Sequence, residues 1–598
     1  MSRATPVGVT TFERAAKTLD LPWPFTGRED ELDVIRRSVA AGRPGIVVTA
    51  PAGRGKTRLA AEAVRGLGCT RVTGTPDARR IPFAAFAHLL PEAVTLHRAV
   101  QLLAGVRLLL VDDAHLLDDD SAALVHQLAV HGRTRLLVVA VDDGPVPAAV
   151  SRLWTGELLP RLPLEPLPAE ETGRLMEAGA GGPLEPLTAN RLYALCRGDL
   201  RLLRDLLGAL RDGGLLPREP ESDVRSWRGP VPLTPTLRER AAAVLDRAVP
   251  EDRDTLDRLA FAEPLAPHMD TLDLAALERL EGDGLVSVAE DGGVRLVHPL
   301  HGPALRSAAG RLRTARLVGA TDRCAAALDA EQAALARRIE DVDVRDAAGP
   351  VGEWLVHEGR RVPAGYAAVR ARLGRLRGEL RDAAAWAREG LRGAPGDPAC
   401  RAELALAGDR SGEAPVPRAP VGSDALGLYE AVRRGVPEQA AGPLSRLPGA
   451  GAAVLARHAH AAVRGDGPAL DLVARELEGR GLLLFAAEAS AQAAGAHRDP
   501  RAARGARTRA VELSRRCQGA RTPALSGLVL GELTDRQRQI VTLAAAGMTN
   551  RQIAEKLTLS VRTVGNHLYS AYTRLGASDR AALPCLVDPL ELPQARTA

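Results

Sequence analysis

The chain has 598 residues, 45% of them hydrophobic and 26% charged, with 79 Lys+Arg against 74 Asp+Glu. These fractions belong to globular protein and exclude a collagen-like chain or one disordered throughout; at roughly 150 residues per domain the length predicts about four domains. A net charge of +5 over such a length points to no partner, and because lysine occurs only at Lys17, Lys56 and Lys556 the basic residues are almost all arginine.

No run approaches the ~18 apolar residues of a spanning helix. The N-terminal stretch lacks the apolar core of a secretory signal. The six cysteines are scattered without a CxxC pair, which suits neither a disulfide framework nor a zinc site. The expectation is a soluble, reduced, cytoplasmic chain with no membrane partner.

Residues 27–215 alternate strand-like and helix-like segments. The runs at 45–50, 106–113 and 134–143 read as strands of a parallel sheet, so 20–220 is expected to be an α/β domain, which the motif at 50–57 makes a P-loop NTPase domain. Residues 50–57, Ala-Pro-Ala-Gly-Arg-Gly-Lys-Thr, follow the first strand and precede a helical run, the setting that a phosphate-binding loop requires. Gly53 and Gly55 free the backbone to turn its N–H groups onto phosphates, with Arg54 between them. Lys56 is placed for the β/γ-phosphates and Thr57 offers a hydroxyl to Mg²⁺. The helix N-terminus adds its positive end. Ala50 stands where the pattern has its first glycine.

The run Leu108–Val111 ends in two carboxylates. Asp112 is placed to hold the Mg²⁺ shell and Asp113 to polarise an attacking water. The expected set is therefore Gly53, Arg54, Gly55, Lys56, Thr57 and Asp112 for ATP or ADP, Thr57 and Asp112 for the metal, and Asp113 for catalysis. His115 is expected to shape the loop.

Pro/Gly-rich punctuation follows at 213–235. Residues 236–310 read as short helices closed by a hairpin around AEDGG, a winged-helix-like module. Residues 311–520 read as helix, broken at 393–398 and 413–424. One segment, Gly378 to Pro395, is similar to the latter half of a tetratricopeptide repeat, and no second clean copy follows, so a repeat array and an irregular bundle both remain open. His458 and His460 are expected to be a surface pair.

The C-terminal segment, 527–592, has the punctuation of an all-α helix-turn-helix. Thr534 with Gln537 and Thr549 with Gln552 read as capping boxes, and Ser560 as the N-cap of a third helix over 561–575. Val561, Val564, Leu568, Ala571, Tyr572 and Leu575 form its expected buried stripe. Residues 533–580 hold seven cations and three anions, nearly the whole excess of the chain, the footprint of duplex binding.

Two resemblances follow from these motifs. Phe25-x-Gly27-Arg28-Glu29-x-Glu31-Leu32, the P-loop and LLLVDDAH together resemble the signal-transduction ATPases with numerous domains (STAND NTPases). Two departures reduce the expectation of rapid hydrolysis: Ala140-Val141-Asp142-Asp143 follows the third strand where a polar or basic sensor is usual, and Gly198-Asp199-Leu200-Arg201 replaces the Gly-Asn-Pro-Leu type. Residues 533–576, with Gly547-x-Thr549-Asn550, Ile553-Ala554 and Thr563-Val564-x-x-His567, resemble the LuxR-type helix-turn-helix. The two ends together resemble the large ATP-binding regulators of the LuxR family.

That resemblance implies a recognition helix at 561–575. Gly565, Asn566 and Tyr569 fall at base-facing positions, with Arg562, Thr563 and His567 on phosphates and Thr549 and Asn550 at the interface. Asn566 has the groups to read adenine bidentately. Gly565 replaces a charged or polar residue, at about 1 kcal/mol of helix propensity. The implied function is a DNA-binding transcriptional activator gated by nucleotide and by a small-molecule or protein inducer. Its partners would be promoter duplex, RNA polymerase and further copies of itself. The alternatives are an ATP-driven DNA-remodelling enzyme and a regulator whose ATPase is only a scaffold.

Overall fold

The computed structural model describes residues 23–575 except 41, 143, 219–222, 318–321, 346–348, 409–423, 519, 521, 526–527, 529–534 and 546–547. Two compact units divide the chain: residues 1–261 with 267–317, and residues 318–598 with 262–266.

The first unit starts with α1 (Glu29–Ser38), β1 (Gly45–Thr49), α2 (Lys56–Ala63), β2 (Thr70–Thr73), α3 (Leu96–Leu103), β3 (Leu108–Asp112), α4 (Asp119–His131), β4 (Arg135–Ala140), α5 (Ala148–Thr155) and β5 (Arg161–Pro163). The five strands form one parallel sheet in the order β2-β3-β4-β1-β5. β4 thus lies between the strand that feeds the P-loop and the strand that ends in Asp112.

Both faces of the sheet are covered, which explains why its inner strands read as unbroken aliphatic runs. On one face Ile46, Val48, Leu110, Leu137 and Val139 pack against Ile35 of α1, its C-cap Val39, and Leu59 and Ala60 of α2. On the other, Val47, Leu109, Val111, Leu136 and Val138 meet Leu103, Leu124, Leu128 and Leu153. This is an α/β P-loop NTPase fold. β2 and β5, four and three residues long, escape the sequence reading because neither is a sustained apolar run.

Helices α6 (Ala169–Ala180), α7 (Pro186–Cys196) and α8 (Leu200–Asp212) follow and share a core with Trp227 and Leu237. Next come α9 (Pro235–Leu245), α10 (Arg253–Ala262), α11 (Leu274–Gly282), the antiparallel hairpin β6 (Val286–Val288) and β7 (Val294–Leu296), α12 (His301–Ala308) and α13 (Arg311–Leu317). The α9–α12 stretch packs around Leu256, Leu259, Leu280, Val286 and Val294.

The second unit begins as a helical region: α14 (Asp322–Glu340), α15 (Pro350–His357), α16 (Ala364–Leu376), α17 (Leu380–Gly393), α18 (Pro398–Leu406), α19 (Ala425–Arg433), α20 (Glu438–Ser445), α21 (Ala450–Arg464), α22 (Gly467–Gly479), α23 (Leu483–Ala496) and α24 (Pro500–Arg516). α16 packs on α17, α22 on α23 and α23 on α24. Gly378 takes φ +80 in the α16–α17 turn, and a Cβ there would strike the Cys517 thiol. The expected surface pair of histidines is corrected here. His458 is 1% exposed, with Tyr429 Oη against Nδ1 and Gln492 Oε1 2.8 Å from Nε2, whereas His460 faces Ser445 Oγ at 3.0 Å. Residues i and i+2 on a helix face differently, and one of the two faces inward.

Three further helices close the described chain: α25 (Asp535–Ala545), α26 (Asn550–Leu557) and α27 (Val561–Leu575). Ile540, Val541, Ile553, Ala554, Val564, Leu568 and Ala571 form their shared core. Val561, expected in the buried stripe, is 51% exposed, because as the first residue of α27 it precedes the turn that packs. The Tyr572 and Leu575 side chains, Thr534 and Gly547 lie outside the described residues.

Candidate nucleotide cradle and candidate nucleic-acid interface

The loop between β1 and α2 lies at the C-terminal end of the strands, where parallel sheets place their ligands. Gly53 and Gly55 adopt φ +79 and +84, and Gly55 is the N-cap of α2. Neither position tolerates a side chain without strain. A Cβ on Gly53 would also collide with the Asp199 carboxylate. Lys56 is buried along the loop and its Nζ donates to Ala50 O and Pro51 O, each at 2.7 Å. Ala50 itself is buried directly after β1, so the substituted first position packs into the core.

Thr57 Oγ1 donates to Asp112 Oδ1 at 3.1 Å, and so does the Asp113 backbone N–H. Arg71 on β2 holds the other oxygen, Oδ2, at 2.6 Å. Asp112 is 1% exposed. A hydroxyl and a carboxylate oxygen side by side are the hard donors Mg²⁺ takes, so Thr57 and Asp112 fit the ion, with Arg71 as a competing cation that sequence reasoning missed along with β2. Asp113 has φ +47 and lines the cavity above the loop.

That cavity holds about 500 Å³, the scale of a nucleotide-sized ligand. Its lining combines Lys56, Thr57, Asp113 and His115 with the apolar Trp23, Phe25, Leu167, Leu175 and Leu200 and the cations Arg201 and Arg204. Arg54 also lines the cavity, and its guanidinium lies against Gly198, where a Cβ would strike Nη1, which is buried without a hydrogen-bond partner. The backbone of Arg54 remains in the loop, but its side chain tethers the loop to the Gly198–Arg201 segment. His115 Nδ1 accepts from Val141 N–H at 3.4 Å.

Sequence reasoning treated Gly198–Arg201 as a departure, and the structure gives it work. Leu200 N–H donates to Gly53 O at 2.9 Å. The Asp199 carboxylate caps α8 through the Arg201 and Leu202 N–H groups. Arg240 on α9 reaches Asp199 at 3.6 Å and Asp205 at 3.1 Å. At the end of β4, Asp142 pairs with Arg161 at 3.0 Å, and Arg161 Nε also donates to Thr49 Oγ1 at 2.8 Å. Arg161 thus lies at the strand ends from β5, a position that the β4 sequence could not reveal.

The second candidate site is the α26–α27 pair. Thr549 and Gln552 form a complete capping box at the start of α26, placing Asn550 in its first turn. Thr558 at φ +55 turns the chain, and Ser560 Oγ accepts from Thr563 N–H at 3.0 Å. With Val564, Leu568 and Ala571 buried, the opposite face of α27 presents Arg562, Gly565, Asn566 and Tyr569 at spacings of three, four and seven. Thr563 and His567 lie half-buried on its flank. Tyr569 is 76% exposed. Arg536 is not part of this face, because it donates to Leu557 O at 2.6 Å and closes the end of α26. Gln537, expected in a cap, is buried with Nε2 3.1 Å from Ser570 Oγ, bridging α25 to α27.

Comparison with known proteins bears on this second site. The family "Bacterial regulatory proteins, luxR family" matches residues 531–587. The putative HTH-type transcriptional regulator Rv0890c of Mycobacterium tuberculosis is 36% identical over 74 residues, 12% of this chain and 8% of that protein. The putative HTH-type transcriptional regulator YhjB of Escherichia coli is 45% identical over 51 residues, 8% of this chain and 26% of that protein. The matches therefore span less than a tenth of the mycobacterial relative and about a quarter of the E. coli one.

Among solved structures, the Holliday junction branch migration motor RuvB of Thermotoga maritima is 16% identical at a TM-score of 0.26, over 45% of this chain and 90% of that one. A Walker-type ATPase of Pyrococcus abyssi is 12% identical at 0.30, over 47% and 95%. The fold assignment rests on the strand order and the loop, not on these superpositions. Downstream of its P-loop α/β domain, the chain carries a helix-turn-helix of the luxR family of bacterial regulatory proteins.

Proposed function

We propose that the chain is a DNA-binding transcriptional regulator, an activator, whose P-loop domain binds ATP or ADP with Mg²⁺ and gates its hold on promoter DNA. The observation that carries the DNA reading is the exposed face of α27, with Arg562, Asn566 and Tyr569 on one side of a helix whose other side is core. A lone helix of this kind fits the major groove. Asn566 has the groups for adenine, and Arg562, Thr563 and His567 those for phosphates.

The nucleotide reading is supported by the cavity over Gly53–Thr57. Lys56 would leave its two carbonyl partners for the β/γ-phosphates, Thr57 and Asp112 would hold Mg²⁺, and the bound ion would neutralise phosphate charge. Trp23 and Phe25 supply an apolar surface for a base. Asp113 is the candidate to orient water. Slow turnover fits the Asp142–Arg161 pair at the end of β4, in which the Asp142 carboxylate is already engaged by a cation.

Gating has a physical route inside the first unit. A phosphate arriving at Gly53 meets the segment Asp199–Leu200, which Arg240 ties to the winged-helix-like module. His298 and His301 of that module lie with rings 5.4 Å apart, both depressed to about 4 by burial, with Arg197 adding to the effect. Differential contact with two nucleotide states is what a switch requires. RNA polymerase, an inducer and further copies of the chain are the remaining partners of this reading. Footprinting of the purified chain on the DNA upstream of its own gene tests it. Protection that changes between ATP and ADP is expected, and no protection under any nucleotide condition would refute it.

A further inference from the structure

Helix α24 carries six arginines (501, 504, 507, 509, 515 and 516) against one acid, Glu512. Its formal +5 in 17 residues equals the excess of the entire chain. Arginine-rich composition does not account for this. α16 also holds three arginines and no acid, but Arg370 and Arg375 are met by Glu353 and Glu403 from neighbouring helices and Arg372 by Asp424, the N-cap of α19.

On α24 the apolar side is spent on packing: Ala506, Ala510 and Leu513 are buried. At 3.6 residues per turn the opposite side presents Arg501, Arg504, Gly505, Thr508, Glu512 and Arg515, all exposed. Arg509 and Arg516 lie toward Glu478 and pair with it. Asp499 is occupied as the N-cap, accepting from Arg501 and Ala502 N–H. From Arg501 to Arg515 the stripe is about 21 Å long at 1.5 Å per residue. Between Arg504 and Arg515 stand Gly505, Thr508 and the acid Glu512, and a Cβ on Gly505 would meet nothing within 4 Å. Three guanidinium forks against one carboxylate leave this face net positive, and forks held on a rigid helix suit a line of phosphates.

We propose that this face of α24 binds the sugar–phosphate backbone of double-stranded DNA, as a second contact beside the α26–α27 pair. The inference rests on the DNA-binding reading above. Nineteen positions separate Arg516 from Asp535, at most about 65 Å of extended chain. That keeps α24 within about two helical turns of a duplex held by α27. Such a contact positions the protein and lengthens its footprint without adding sequence preference.

The test uses the full chain and a mixed-sequence duplex of about 40 base pairs, titrated by fluorescence anisotropy over a range of salt. The R501Q/R504Q/R515Q variant is expected to bind at least tenfold more weakly at low salt. Its plot of log affinity against log salt flattens by about two to three, near 0.9 per lost phosphate contact. The R501K/R504K/R515K variant keeps most of the slope, which separates lost charge from lost folding. Unchanged affinity and slope in the glutamine variant, with R562A impaired, overturns the proposal and leaves the DNA reading intact. Absence of wild-type binding to any duplex overturns both. Wild-type binding to phosphatidylserine vesicles that the glutamine variant loses, with duplex binding unchanged, overturns it in favour of a lipid surface.

Discussion

The P-loop domain and the helical region at 322–516 treat buried polarity in opposite ways. In the sheet, aliphatic side chains fill both faces, and the polar groups gather at the strand ends around an open cavity. In the helical region, charge is threaded through the packing itself. Arg375 pairs with Glu403 at 2.7 Å, and Arg433 pairs with Glu430 at 3.0 Å and Glu488 at 2.9 Å. These join α16 to α18 and α19 to α23. The first arrangement leaves its polar groups around an open cavity; the second pairs oppositely charged groups across helix contacts. Buried ion pairs are weak evidence for stability, since desolvation offsets their attraction, but breaking one is costly.

The largest effect expected from this difference is in the helical region. Arg433→Leu leaves Glu488, 1% exposed, without its cation. The loss is about 3–5 kcal/mol, and pairing it with Glu488→Leu recovers most of that. Denaturant titration of both variants checks the pair, while nucleotide binding by the first unit is unaffected.

Next in size is a pH effect in the same region. Burial lowers the His458 pKa to about 4, against a weaker upward pull from the Gln492 hydrogen bond. The unfolded chain takes up this proton below about 6.5 and the folded chain resists until about 4, so the contribution is full above pH 6.5 and lost as pH falls toward 4. It amounts to about 3 kcal/mol. The thermal midpoint of the helical region should fall more steeply across that window in the wild type than in His458→Gln.

In the cradle, Lys56→Ala is expected to weaken ATP and ADP binding about 10- to 100-fold, the worth of charge-assisted contacts to phosphate. Calorimetry reads this directly. Equal affinity in variant and wild type would favour the scaffold alternative. The smallest effect lies at Gly565. A Cβ there meets nothing within 4 Å, so Gly565→Ala should stabilise α27 by up to about 1 kcal/mol through helix propensity alone.

The same contrast explains what the sequence made legible. The loop at 50–57, the acids at 112–113 and the caps of α26 and α27 each use a few residues at fixed spacing, so they can be read without knowing the fold. Arg71, Arg161 and Asp199 act across strand or domain distances: Arg71 reaches Asp112 over 41 positions and Arg161 reaches Thr49 over 112. No local pattern encodes such partners. His458 was legible in principle, because Val454, His458 and Ala461 recur at i, i+4 and i+7 on a buried face, a helical stripe that includes one polar member. Arg-His-Ala-His draws attention to the pair and away from the period.

The central claim is that nucleotide and DNA sites are coupled. Coupling is reciprocal for binding free energies. ADP and ATP affinities of the full chain should therefore be measured with and without saturating promoter duplex. The account predicts that duplex changes the ATP-to-ADP affinity ratio by the same factor by which exchanging ADP for ATP changes duplex affinity. Nucleotide affinities that are indifferent to bound duplex would contradict it.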